Sequence, residues 1–114
     1  MTKAKRSALR YICLAIRSVP RYIAFMITSW KNKDAKEIFE GRAPRAVPAD
    51  ILKRARRVLA QLNAASVLTD MAVAPGNHLH KVGEVWAVRV NDQYRVTFVW
   101  GAEGPEEVWL GDYH

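Results

Sequence analysis

The chain has 114 residues, half of them hydrophobic and a quarter charged, which is the composition of one ordered domain with a single core and excludes a disordered protein. Its one cysteine, Cys13, excludes a disulfide framework and a thiolate metal site. The formal charge of +7 points to an anionic partner, but residues 1–25 hold six of the cations and no acid, whereas residues 26–114 carry 12 basic against 11 acidic side chains. Attraction to nucleic acid must therefore come from local clustering.

In the basic leader, residues 1–25, Leu9, Ile12, Cys13 and Ile16 recur at helical spacing, predicting a short amphipathic helix over residues 7–17 that Pro20 stops. Two readings stand for it: a membrane-surface or anionic-partner helix, and an appendage outside the fold. Arg17 and Arg21 interrupt any secretory signal. The longest uncharged stretch, Tyr22 to Trp30, falls short of the roughly 18 residues of a membrane span. A reducing cytoplasm is the expected location, with no membrane partner.

Phe25 to Trp30 suits a short strand. Asn32 is placed to cap a helix in which Ala35, Ile38 and Phe39 share a face, with Gly41 at its end. Arg42 to Pro48 is a connection. Over residues 50–65, Ile51, Leu52, Ala55, Val58, Leu59 and Leu62 form one apolar stripe, predicting a helix packed on a sheet with Pro48 and Asp50 at its start. Its outer face bears Lys53, Arg54, Arg56 and Arg57, read either as a solvated face or as a contact for RNA phosphate or an acidic partner. Ser66 is expected to cap a short helix through Met71, and Pro75-Gly76 to turn the chain into a strand over His78 to Val82.

The last stretch, residues 84–114, reads as three strands and two turns. Trp86, Val88 and Val90 alternate with Ala87 and Arg89, while Tyr94, Val96, Phe98 and Trp100 alternate with Arg95, Thr97 and Val99. A two-residue loop would mix the apolar set of one strand with the polar set of the other. A three-residue loop, Asn91-Asp92-Gln93, pairs Val88 with Val96 and Trp86 with Phe98 and leaves one face wholly apolar. That register sets Arg89 opposite Arg95, where like charges repel. Either a phosphodiester sits between them, or both splay into water or pair with Asp or Glu.

Neither metal-ligand spacing nor a glycine-rich phosphate loop is present, so no metal or cofactor is expected. What remains is His80 before the hairpin, Arg89 and Arg95 on its polar face, and Asp112, Tyr113 and His114 at the end. Histidine exchanges protons near neutral pH, tyrosine positions or donates one, and arginine neutralises a phosphorane. RNA brings its own nucleophile, the 2′-hydroxyl.

MITSWKNKDAKEIFEG from Met26, the VPADILKRARRVLAQLNAAS helix, PGNHLH, WAVRVNDQYRVTFVW and the closing DYH together resemble the HigB-type toxins of the RelE/ParE superfamily over residues 26–114. The resemblance implies an α+β fold, with N-terminal helices packed on one face of an antiparallel sheet. It further implies a ribosome-dependent endoribonuclease that cuts mRNA and is inhibited by a helix-turn-helix, HigA-like antitoxin. His80, Arg95, Asp112, Tyr113 and His114 match the family's catalytic positions, with either histidine as base or acid. HKVGEVW is shorter than the family's loop at that point, and Lys81 stands as the substitute for its usual lysine. Family members generally begin where Met26 stands, so the leader is expected to reflect an early start site. Two rivals remain: a poison that binds protein, like the superfamily's gyrase inhibitors, and a degenerate toxin that binds its antitoxin without cutting.

Overall fold

The computed structural model describes residues 26–112; the leader, with the helix expected over residues 7–17, and Tyr113 and His114 lie outside the described residues. Asn32 caps helix α1, Lys33–Phe39, its side-chain oxygen accepting from the Ala35 amide. Gly41, at φ +94°, follows the helix in a conformation that favours glycine. A single 3-10 turn, Ala49–Ile51, leads into helix α2, Leu52–Ala64, which buries Ala55, Val58, Leu59 and Leu62 as its stripe requires.

Four strands follow: β1, His80–Val82; β2, Val85–Arg89; β3, Tyr94–Gly101; and β4, Gly104–Asp112. They form one antiparallel sheet in the order β1-β2-β3-β4. The β2–β3 register sets Trp86 opposite Phe98, Val88 opposite Val96 and Arg89 opposite Arg95, as the three-residue loop requires. Asn91 shapes that loop, its side-chain oxygen accepting from the Gln93 and Tyr94 amides at 2.9 and 2.7 Å. Helices α1 and α2 pack together on one face of the sheet. There Val88, Val90, Val96, Phe98, Val108 and Leu110 meet Ile38, Val58, Leu59 and Leu62 in one continuous core. The fold is the α+β arrangement expected, and among the described residues α1 and α2 lie on one sheet face only, the opposite one being called the open face below.

Three local expectations are corrected. Residues 26–29 form no strand; the segment instead runs beside β4, with one parallel bridge from Trp30 to Val108 and a hydrogen bond from the Thr28 amide to the Pro105 carbonyl. Ser66 does not cap a helix: a 3-10 helix, Leu68–Ala72, forms with the Asp70 carboxylate accepting from the Ser66 and Val67 amides. The strand begins at His80 because His78 sits at φ +48° and ends the preceding turn.

β4 carries a bulge. Thr97 pairs with Trp109, but Val99 pairs with Glu106, so β4 spends one residue more than β3 between the two pairs. Within that interval Glu107 adopts φ +50°. Ser29 holds the bulge from outside the sheet, its hydroxyl oxygen accepting from the Glu107 amide at 2.8 Å and its carbonyl from the Val108 amide at 3.1 Å.

Candidate functional site on the open sheet face

Alternation along the strands decides which candidate residues share a face. On the open face, one row runs His80, Ala87, Thr97, Trp109 across the four strands, and the next runs Arg89, Arg95, Gly111. His80 is thus the diagonal neighbour of Arg89, about 7–8 Å away between backbones. The structure brings His80, Arg89 and Arg95 together on one face.

His80 enters from a turn that Asn77 fixes: its buried side-chain nitrogen donates to the Met71 carbonyl at 2.9 Å and to Gln61 at 3.3 Å. The exposed imidazole lies with Nδ1 2.8 Å from the His78 carbonyl. A carbonyl can only accept, so Nδ1 carries the proton and Nε2 is left as the acceptor of the neutral ring.

The two arginines are held, and not by each other. Arg89 forms an ion pair with Asp92 in the hairpin turn, which holds the Asp92 carboxyl below its ordinary range, chiefly through the hydrogen bond from Arg89 and then through its charge. Arg95 donates to the Asn91 and Tyr94 carbonyls. Pairing with an acid therefore accounts for Arg89 in the free protein, and the turn backbone accounts for part of Arg95. Each guanidinium offers five N–H donors, so both retain capacity for a phosphate.

The other sequence-selected residues divide plainly. Asp112 pairs with Tyr94 at the far corner of the sheet, where Gln93 donates to its carboxylate at 2.8 Å. Three strand spacings, about 14 Å, separate β1 from β4, so Asp112 is not in contact with His80. Tyr113 and His114 lie outside the described residues. Lys81 stands on the other face from His80: it pairs with Trp86 on the helix-bearing side and sets its ammonium 5.8 Å from the Trp86 ring centroid.

Lys53, Arg54, Arg56 and Arg57 belong to α2, on the side of the sheet away from His80, and two of them serve the fold. Arg54 donates to the Gly76 carbonyl at 3.3 Å. Arg56 donates to the Ile38 carbonyl at 3.1 Å and to the Arg42 carbonyl at 3.3 Å, satisfying the end of α1. Lys53 and Arg57 stay exposed. A depression of about 370 Å³ near the end of α2, lined by Gln61, Ala64, Asp70 and Val73 among others, includes none of the candidate residues. Among the described residues no cluster of three or more His, Cys, Asp or Glu could hold a metal ion, and no helix is long and apolar enough to cross a membrane.

Sequence reasoning passed over Gln93, which orients Asp112, and Trp109, which shares the open face with the arginines. The signal for Trp109 was present in its neighbours: Val108 and Leu110 are the apolar pair of an alternating strand, which turns the residue between them outward.

The model of the RelE-like toxin of the type II toxin–antitoxin system HigB matches residues 28–114, nearly the whole described region. The chain belongs to the HigB-like toxin family. Toxin HigB-1 of Vibrio cholerae serotype O1 is similar to it, with 34% identity over 80 residues, covering 66% of this chain and 84% of that toxin. A HigB-like toxin of a type II pair has an antitoxin as its partner, and the helices, the sheet and the closing segment of this chain all fall within the matched region.

Proposed function

We propose that this toxin is a ribosome-dependent mRNA endoribonuclease of the cytoplasm, with the open sheet face as its substrate surface and residues 26–114 as its working unit. The observation that carries the reading is the placement of Arg89, Arg95 and His80 on one face, opposite the core. Nε2 of His80 takes the proton of an RNA 2′-hydroxyl as its oxygen attacks the adjacent phosphorus. Arg95, with Arg89, binds the charge that builds on the equatorial phosphoryl oxygens. The bond from phosphorus to the 5′-oxygen breaks, and that oxygen takes a proton from His114. Tyr113 orients the substrate and Asp112 fixes its neighbours. The products are a 2′,3′-cyclic phosphate and a 5′-hydroxyl, and a helix-turn-helix antitoxin is the inhibitor.

Mapping mRNA 5′ ends in growing cells that express the chain tests this. New ends at codon-defined positions are expected, and Arg95→Ala or His80→Ala should reduce them about a hundredfold or more. Product ends bearing a 3′-hydroxyl would sink the mechanism. A second reading, a toxin that arrests growth or only binds its antitoxin without cutting, draws support from the Arg89–Asp92 pair and from Lys81 facing the other way. Growth arrest without new ends would favour it.

A further inference from the structure

Beyond the bulge at Glu107, Trp109 stands on the open face, opposite Thr97, on a strand whose neighbouring residues Val108 and Leu110 go to the core. Gly111 is next on the same face, directly opposite Arg95. A Cβ built on Gly111 would lie 2.4 Å from Cζ2 and 2.7 Å from Cη2 of Trp109, so the six-membered ring of the indole occupies the place a side chain at 111 would take. The row that reads Arg89, Arg95, Gly111 in backbone terms therefore carries two arginines and, over Gly111, an aromatic ring, across three adjacent strands. The arrangement has two parts: glycine at 111 lets the ring lie down, and the bulge turns Trp109 to this face.

Guanidiniums beside a partly exposed aromatic ring make the surface that single-stranded nucleic acid uses, with cations on the phosphates and a base against the ring. We propose that Trp109 is a nucleobase-stacking residue, receiving a base of the strand whose phosphate lies on Arg95. This rests on the endoribonuclease reading and names the part of the substrate that the side chain contacts. Stacking accepts any base, so Trp109 supplies affinity and registers the strand on the sheet, without itself choosing a sequence.

A tryptophan here also shields the sheet, since Thr97 is 7% exposed and Ala87 fully buried on this face. The test must therefore separate stacking from support. The full chain is titrated with a short single-stranded oligoribonucleotide, 2′-O-methylated so that it is not cut, and with versions each lacking one base. Wild type should lose about tenfold in affinity at one abasic position. Trp109→Ala should bind the intact strand about tenfold more weakly and be indifferent to that position, while Trp109→Phe should keep both the affinity and the abasic penalty. Arg95→Ala should weaken intact and abasic strands alike.

Wild-type binding insensitive to every abasic position overturns the inference, as does a Trp109→Ala variant that retains the abasic penalty. A Phe variant no better than Ala also counts against stacking. Because the strand cannot be cut, the abasic penalty is read whether or not the toxin cleaves. New 5′ ends in cells without an abasic penalty mean that this inference fails alone; the penalty without new ends means that the cleavage reading fails.

Discussion

In the free protein the Arg89 guanidinium is matched to Asp92, and in the proposed reaction it must be shared with a phosphodiester. Because the native pKa of Asp92 is depressed, the pair's contribution is complete above the ordinary aspartate range and is lost as pH falls through the lowered native value. The carboxylate is fully exposed, so the effect is local to the turn. An NMR titration of the side-chain carboxyl should place Asp92 below the usual 3.8, and Arg89→Ala should return it to that range. A midpoint unchanged by the substitution would mean that the pair does not hold in solution.

Among the elements, Asn32 does two tasks. Its side-chain oxygen caps α1 and accepts from the Leu110 amide at 3.3 Å, while its nitrogen donates to the Leu110 carbonyl at 2.8 Å. The side chain thereby mimics a strand partner for β4 two residues before Asp112. Asn32→Ala should cost about 1–3 kcal/mol in urea denaturation, combining a lost cap with unpaired backbone groups of β4. Asn32→Asp, which keeps the acceptor and loses the donor, should cost less. Equal stability of the alanine variant and wild type would show that solvent replaces all three bonds.

Much at this scale was legible in the sequence. The period of the apolar residues marked α2, and the length of the Asn91-Asp92-Gln93 loop set the hairpin register and so Arg89 against Arg95. The failures share a physical cause. Both involve a backbone irregularity: the strand start at His80 follows a left-handed residue that propensity does not reveal, and an inserted residue breaks the alternation between Glu106 and Trp109, so that only the apolar neighbours Val108 and Leu110 mark the outward face of Trp109. Alternation from His80 would have put Lys81 on the far face, had β1 been read with the same parity argument as the hairpin. The cap at Asn32 was visible, but its grip on β4 crosses 78 positions of sequence.

For the molecule as a whole, charge is separated from the site. The body beyond residue 25 carries 12 basic and 11 acidic groups, and on α2 Arg54 and Arg56 are committed to backbone carbonyls on the helix-bearing side. Strand binding at the open face should therefore depend on few cations. Arg95→Ala should flatten the slope of log affinity for single-stranded RNA against log salt by about 0.7, the share of one phosphate contact, while Arg57→Ala should leave it unchanged. A slope altered equally by both would place the strand across α2 as well.

The extra residue at Glu107 sets the parity of everything after it. Were every residue of β4 paired in regular alternation from Glu106, with no bulge to absorb one, Val108, Leu110 and Asp112 would fall on the open face and Trp109 and Gly111 would turn toward the helices. The sheet would then lose two core side chains and the aromatic end of its cationic row by the same half-turn. One strained residue, held by Ser29 from the opposite end of the described chain, thus makes the core and the substrate face two readings of a single count.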